Sequence, residues 1–224
     1  MNRSSHQKII SNKKAFLIVL LHSLKLFYTN KATLLNSCAF YLITIVVFHI
    51  AVGPYELNPL VSNGIIIISI IFSLMLSANL LLKNDHDKGI LEQWLIQPFA
   101  LEIVLLAKAV CFIIIFTLAF TLLMPVSFLL YNLSFEYLWI TLVIGFLTMV
   151  IVTVVLLFGE ALTLHSHSSV LSFILIMPLL IPVLVASTLS IQNAVYLWLL
   201  FSLSLISSVI FIFSTKYLLK IQAS

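Results

Sequence analysis

Residues 60–108 read LVSNGIIIISIIFSLMLSANLLLKNDHDKGILEQWLIQPFALEIVLLAK, and the order of apolar and polar residues in this stretch decides the class of the protein. A long apolar run, 60–82, gives way to a polar island, KNDHDKGILEQWLIQ at 83–97, after which a second apolar run begins. An ion in hydrocarbon costs kilocalories unless it is paired. Lys83, Asp85, Asp87, Lys88 and Glu92 therefore place the island in water, and the flanking runs belong in lipid.

The same alternation extends over the whole chain. Of 224 residues, 62% are hydrophobic and 8% charged, and the mean hydropathy of +1.24 excludes the soluble class. Crossing about 30 Å of hydrocarbon takes about 20 helical residues. Six stretches meet that length, at 34–52, 60–82, 103–131, 137–162, 170–189 and 194–217. Between them, Gly53-Pro54-Tyr55-Glu56, Asn132-Leu133-Ser134, His165-Ser166-His167-Ser168 and Ser190-Ile191-Gln192-Asn193 break the pattern where a helix must end. The predicted fold is an all-α integral membrane protein of six transmembrane helices, because only helices or closed barrels satisfy backbone polar groups in lipid and these runs fit helices.

Charge orients the bundle. With six spans, all eleven basic residues fall on one side: Arg3, Lys8, Lys13, Lys14, Lys25 and Lys31 before the first span, Lys83, Lys88 and Lys108 around the island, and Lys216 and Lys220 at the end. The positive-inside rule then puts both termini in the cytoplasm. The net charge of +4 is explained by topology and anionic lipid, which removes nucleic acid as a partner. Cys38 and Cys111 stand alone in apolar spans and read as packing residues.

Residues 1–33 form a separate amphipathic segment. At 100° per residue Ile9, Phe16, Leu20 and Phe27 fall on one stripe and Ser11, Lys14, His22 and Lys25 on the opposite one. That pattern predicts an interfacial helix on the cytoplasmic leaflet. A signal peptide fits less well, since His22, Lys25, Phe27 and Tyr28 follow the short apolar stretch in place of a small-residue cleavage site.

Within the island, Asp85 or Asp87 can cap a short helix and Pro98 ends it. Ile90, Leu91, Trp94 and Leu95 share one arc of that helix, while Lys88, Glu92 and Gln93 take the rest. Such a helix lies on lipid or meets a cytoplasmic partner, and the residues alone leave both open. Pro178 and Pro182, four residues apart in the fifth span, each remove a backbone hydrogen bond and are candidate hinges.

The chemistry for catalysis is missing from the sequence. No GxxxxGK[ST], HExxH or CxxC pattern occurs, so the chain is expected to be a non-catalytic subunit that binds neither ATP nor a metal by itself. Glu102, Lys108 and Glu160 lie near the cytoplasmic ends of spans and are expected to snorkel to the interface. His49 reads as a polar belt residue, His165 and His167 as a solvated turn, and Tyr137, Trp139, Tyr196 and Trp198 as interfacial anchors.

The stretch DHDKGILEQWLIQP followed by LEIVLLAKA, together with SSVLSFILIMPLLIPVLV in the fifth span, resembles the haem exporter protein B family, the membrane subunit of the ABC system for cytochrome c maturation. The similarity covers nearly the whole chain, and its most specific positions are Asp87, Gly89, Leu91, Glu92, Gln93 and Pro98, then Ala107 and Lys108, then Pro178, Pro182 and Val183. The resemblance implies an ABC-2-type permease domain over 34–219, paired with a second copy of itself and with cytoplasmic ATPase subunits, beside other haem-maturation membrane subunits in a bacterial inner membrane. It further implies that 83–98 is the coupling segment, with Asp87, Gly89, Leu91, Glu92, Gln93 and Trp94 docking the ATPase. ATP would then act through the partner and haem would be cargo of the complex. One departure is Lys88 before Gly89, where the family often carries Asp. Two other functions share the topology: an ABC-2 permease for lipid, drug or polysaccharide, and a scaffold that couples ATP use to release of a haem-loaded chaperone without moving a solute.

Overall fold

The computed structural model describes residues 12–52, 58–96, 100–134, 136–164 and 169–223. The elements are α1 (Asn12–Thr29), α2 (Lys31–Val52), α3 (Pro59–Leu76), a 3₁₀ turn (Ala78–Leu80), α4 (Lys83–Asp87), α5 (Ile90–Ile96), α6 (Leu101–Leu130), α7 (Glu136–Leu162), α8 (Ser169–Leu189) and α9 (Ala194–Ala223). No strand occurs among the described residues.

Five helices, α2, α3, α6, α7 and α9, are long and apolar enough to cross a membrane, and α8 is apolar over Ile174–Leu189. The described residues are thus helical throughout their regular elements and are built as an integral membrane protein is. Several hydroxyls inside the apolar helices find acceptors one turn back on their own backbone: Ser69 to the Ile65 carbonyl at 2.7 Å, Thr148 to Ile144 at 2.8 Å and Thr153 to Met149 at 2.7 Å. These bonds let serine and threonine sit in an apolar run without an unsatisfied group. Asn58 opens α3 by accepting from the Leu60 amide at 3.1 Å, with Pro59 at the position where a missing N–H costs nothing.

The centre of the bundle is α7, which packs against α3, α6, α8 and α9. Its apolar stretch is 72% buried, whereas that of α2 is 17% buried. The outward face of α2 (Leu35, Ile43, Val47, Ile50) and that of α9 (Val195, Leu205, Ile206, Val209) are exposed and apolar, a surface suited to lipid and not to water. Between α2 and α3, Ser37 and Ser77 share a 2.5 Å hydrogen bond, so the helices meet through small polar residues. Tyr131, at the end of α6, donates to the Ile45 carbonyl at 2.9 Å and ties α6 to α2.

α1 lies along α6. Of the stripe proposed for it, Phe27 is 5% exposed and set edge-on to Phe112 and Phe116, while Phe16 and Leu20 are half-buried and Ile9 lies outside the described residues. Leu17, Ile18 and Leu21 form a second, exposed apolar face. His22 does not point into solvent with Lys14 and Lys25 as the wheel suggested, because a buried carboxylate draws it inward.

Candidate functional site

The polar island folds as two short helices joined at Gly89, whose φ of +66 lies in the left-handed region that a side chain enters only with strain. Residues Lys83–Asp87 and Ile90–Ile96 are helical, as expected for the segment, but neither aspartate acts as the expected cap. Leu82 precedes α4 with no side-chain cap bond, and Asp85 is fully buried. Its carboxylate is drawn to a cation instead.

That cation is Lys108, from the second turn of α6. Lys108 is 2% exposed and its ammonium donates to Asp85 Oδ2 and, at 2.5 Å, to the Leu81 carbonyl. The Trp94 ring covers the same ammonium, its centroid 5.1 Å away. Asp85 Oδ1 faces His22 Nε2 of α1 at 3.2 Å, and the His22 ring stands edge-on to Trp94 at 5.2 Å. Snorkelling by Lys108 is therefore corrected: a lysine without a route to water is retained because an acid and a carbonyl meet it in the interior.

Glu160 also departs from the snorkelling expectation, whereas Glu102 stays partly exposed. Lys216 of α9 pairs with Glu102, and Glu160 is 3% exposed within the base of α7. Gln222 donates to the Ala161 carbonyl at 3.0 Å, so the last turns of α9 are fastened to α6 and α7.

The proposed docking residues divide between two faces. Leu91 is 2% exposed and Trp94 and Leu95 pack on the core, so they hold the segment in place. Asp87, Lys88, Gln93 and Ile96 are exposed. Glu92 sits between, with Oε1 2.5 Å from His86 Nδ1, and this contact closes the turn at Gly89. A cavity of about 110 Å³ lies behind α5, lined by His86, Leu91, Glu92, Leu95, Leu164, Leu219 and Gln222. Pro98, His165 and His167 lie outside the described residues.

Other candidates are dispersed. Pro178 and Pro182 lie within α8, which is helical from end to end, and Pro125 lies within α6 in the same way. His49 sets its ring against Tyr131 at 5.8 Å. Trp139 and Trp198 stand at the rim of an apolar groove of about 600 Å³ between α6, α7 and α9, far along the chain from the island. Cys111 is buried and Cys38 half-buried, both as free thiols. The joint of Asp85, Lys108 and His22 was the feature missed by sequence reasoning. Its signal was available: Lys108 is the one lysine between Leu101 and Leu130, and such an ion needs a counter-charge.

Residues 14–221, which include every element of this joint, match the family model described as CcmB protein. The chain belongs to the CcmB family. Among curated CcmB-like relatives, heme exporter protein B of Pseudomonas aeruginosa is 29% identical over 179 residues, covering 79% of this chain and 80% of that protein. Heme exporter protein B of Haemophilus influenzae is 30% identical over 172 residues, covering 76% of this chain and 78% of its own length. The Escherichia coli K12 protein of the same description is 33% identical over 86 residues, 38% of this chain. For this CcmB family member, the island and its joint are the polar structure that an account of function has to explain.

Proposed function

We propose that the chain is the permease subunit of an ABC transporter complex that exports or delivers haem for cytochrome c maturation. The match to the CcmB family over 14–221, with relatives described as heme exporter protein B, carries this reading. ATP hydrolysis belongs to a partner ATPase docked on 83–98. Support for the docking site is a helix pair fixed to the bundle by Leu91 and Trp94, which leaves Asp87, Lys88, Gln93 and Ile96 turned outward. Gly89 and the His86–Glu92 contact hold the angle between the two helices.

The remaining assignments belong to the same reading. The chain crosses a bacterial inner membrane six times with both termini in the cytoplasm, and 1–33 lies at the membrane surface. It pairs with a second copy and with other haem-maturation membrane subunits, and it binds no cofactor alone. Pro178 and Pro182 deny α8 the amide donors that would reach the carbonyls of Ile174 and Pro178, and this makes α8 the hinge of the bundle. A non-translocating scaffold is the second reading. The observation in its favour is that Ser69, Thr148 and Thr153 spend their hydroxyls on their own helices, which leaves them no part in a polar path.

Purification of the tagged chain from its native host tests the assignment. Recovery of an ABC ATPase together with haem-maturation subunits supports it. An ATPase recovered without those subunits points to another cargo, and recovery of no ATPase overturns the coupling reading.

A further inference from the structure

An ammonium has three protons to place, and around Lys108 each of the three directions is occupied by a different part of the chain. One is taken by Asp85 of α4, a second by the Leu81 carbonyl of the turn before it, and the third side is closed by the Trp94 ring of α5. Asp85 passes the connection on to His22 of α1. Lys108 itself is set in α6 among Val104, Leu105 and Phe112, all fully buried, so it has no alternative partner in water. A single side chain thus gathers α1, α4, α5 and α6, and none of these contacts lies on the exposed face of Asp87, Lys88, Gln93 and Ile96.

We infer that Lys108 is a positioning residue for the island: it locks α4, α5 and α1 onto α6 through Asp85, the Leu81 carbonyl and Trp94, so that a push on α5 moves α6 as part of one body. The inference rests on the reading of 83–98 as the ATPase-docking segment and supplies the connection by which that segment acts on the membrane. Two short helices of 5 and 7 residues have too few contacts of their own to transmit a displacement. A buried ion pair with a fixed geometry gives them a rigid footing, because any movement that separates the charges exposes each to an apolar interior.

The test uses the full chain with its ATPase subunit and reads the island directly. The chain has three tryptophans, Trp94, Trp139 and Trp198, so a W139F/W198F background leaves Trp94 as the only indole. In that background K108M is compared with D85N/K108M, which removes both charges and leaves no orphan ion. We expect D85N/K108M to insert and to retain the ATPase subunit within about threefold of the starting affinity, since the exposed face is untouched. Acrylamide quenching of Trp94 should rise, and ATP-dependent haem delivery should fall by about tenfold or more.

If D85N/K108M shows the parent's Trp94 quenching and haem delivery, Lys108 does not position the segment and the inference is overturned, whether or not K108M alone folds. If the parent chain binds no ATPase, the docking reading falls separately. Trp94 quenching then still decides the positioning role: a rise in D85N/K108M upholds it and no change overturns it.

Discussion

Lys108 is a charged residue held almost entirely out of water, and its surroundings set what its removal does. K108M leaves the Asp85 carboxylate fully buried with only the His22 contact, and breaking one side of a buried pair costs about 3–5 kcal/mol. The expected outcome is a clear drop in the thermal transition of the detergent-solubilised chain, with most of the loss recovered in D85N/K108M. Equal transitions for K108M and the parent would show that the pair is not closed in the folded protein. Hydropathy placed Lys108 near the end of a span, but it treats a residue as if its neighbours in sequence were its surroundings. Asp85 lies 23 positions away, and only packing brings it there.

At the scale of elements, α1 shows how an amphipathic pattern can be read correctly and still leave its partner unnamed. The wheel identified Phe27 as apolar-facing, which lipid or protein would satisfy equally. In the structure Phe27 packs edge-on against Phe112 and Phe116, with centroids 5.9 and 6.1 Å away. Aromatic pairs of this kind are each worth about 0.5–1.5 kcal/mol beyond area burial, so F27A should loosen α1 from α6 by about 1–3 kcal/mol. Limited trypsin digestion checks this, because Lys25 is exposed two residues before Phe27. Faster cleavage there, with the rest of the chain protected, is expected; an unchanged rate would mean that the His22–Asp85 contact suffices to hold the helix. The island behaves in the same manner. Its existence and its helical arc were legible, yet Leu91 and Trp94 face inward and the outward set is Asp87, Lys88, Gln93 and Ile96.

For the whole molecule, the proposed orientation rests on the distribution of basic residues and is tested directly by labelling. In a C38S/C111S background, K88C and S134C place single thiols at exposed positions on opposite sides of α6. A membrane-impermeant maleimide added to intact spheroplasts should label S134C and leave K88C unlabelled until the membrane is opened. The reverse pattern would invert the topology and remove the docking reading with it. The exposed apolar faces of α2 and α9 agree with a lipid environment and leave room there for other membrane chains.

Sequence by itself determined that this is a helical membrane protein, where its apolar runs begin and end, and that one polar segment stands out between them. These properties are sums over neighbouring residues, since the free energy of moving a segment into hydrocarbon is close to additive along the chain. Family membership belongs with them, because it depends on residues in order. The tertiary structure alone decided which ions meet. The closure of Asp85 and Lys108, the inward turn of His22 and Trp94, and the pairing of Glu102 with Lys216 depend on distances across 23 to 114 positions of sequence. Such contacts form only when helices pack, because the strength of an ion pair is set by the separation and burial of its partners and not by their order in the chain.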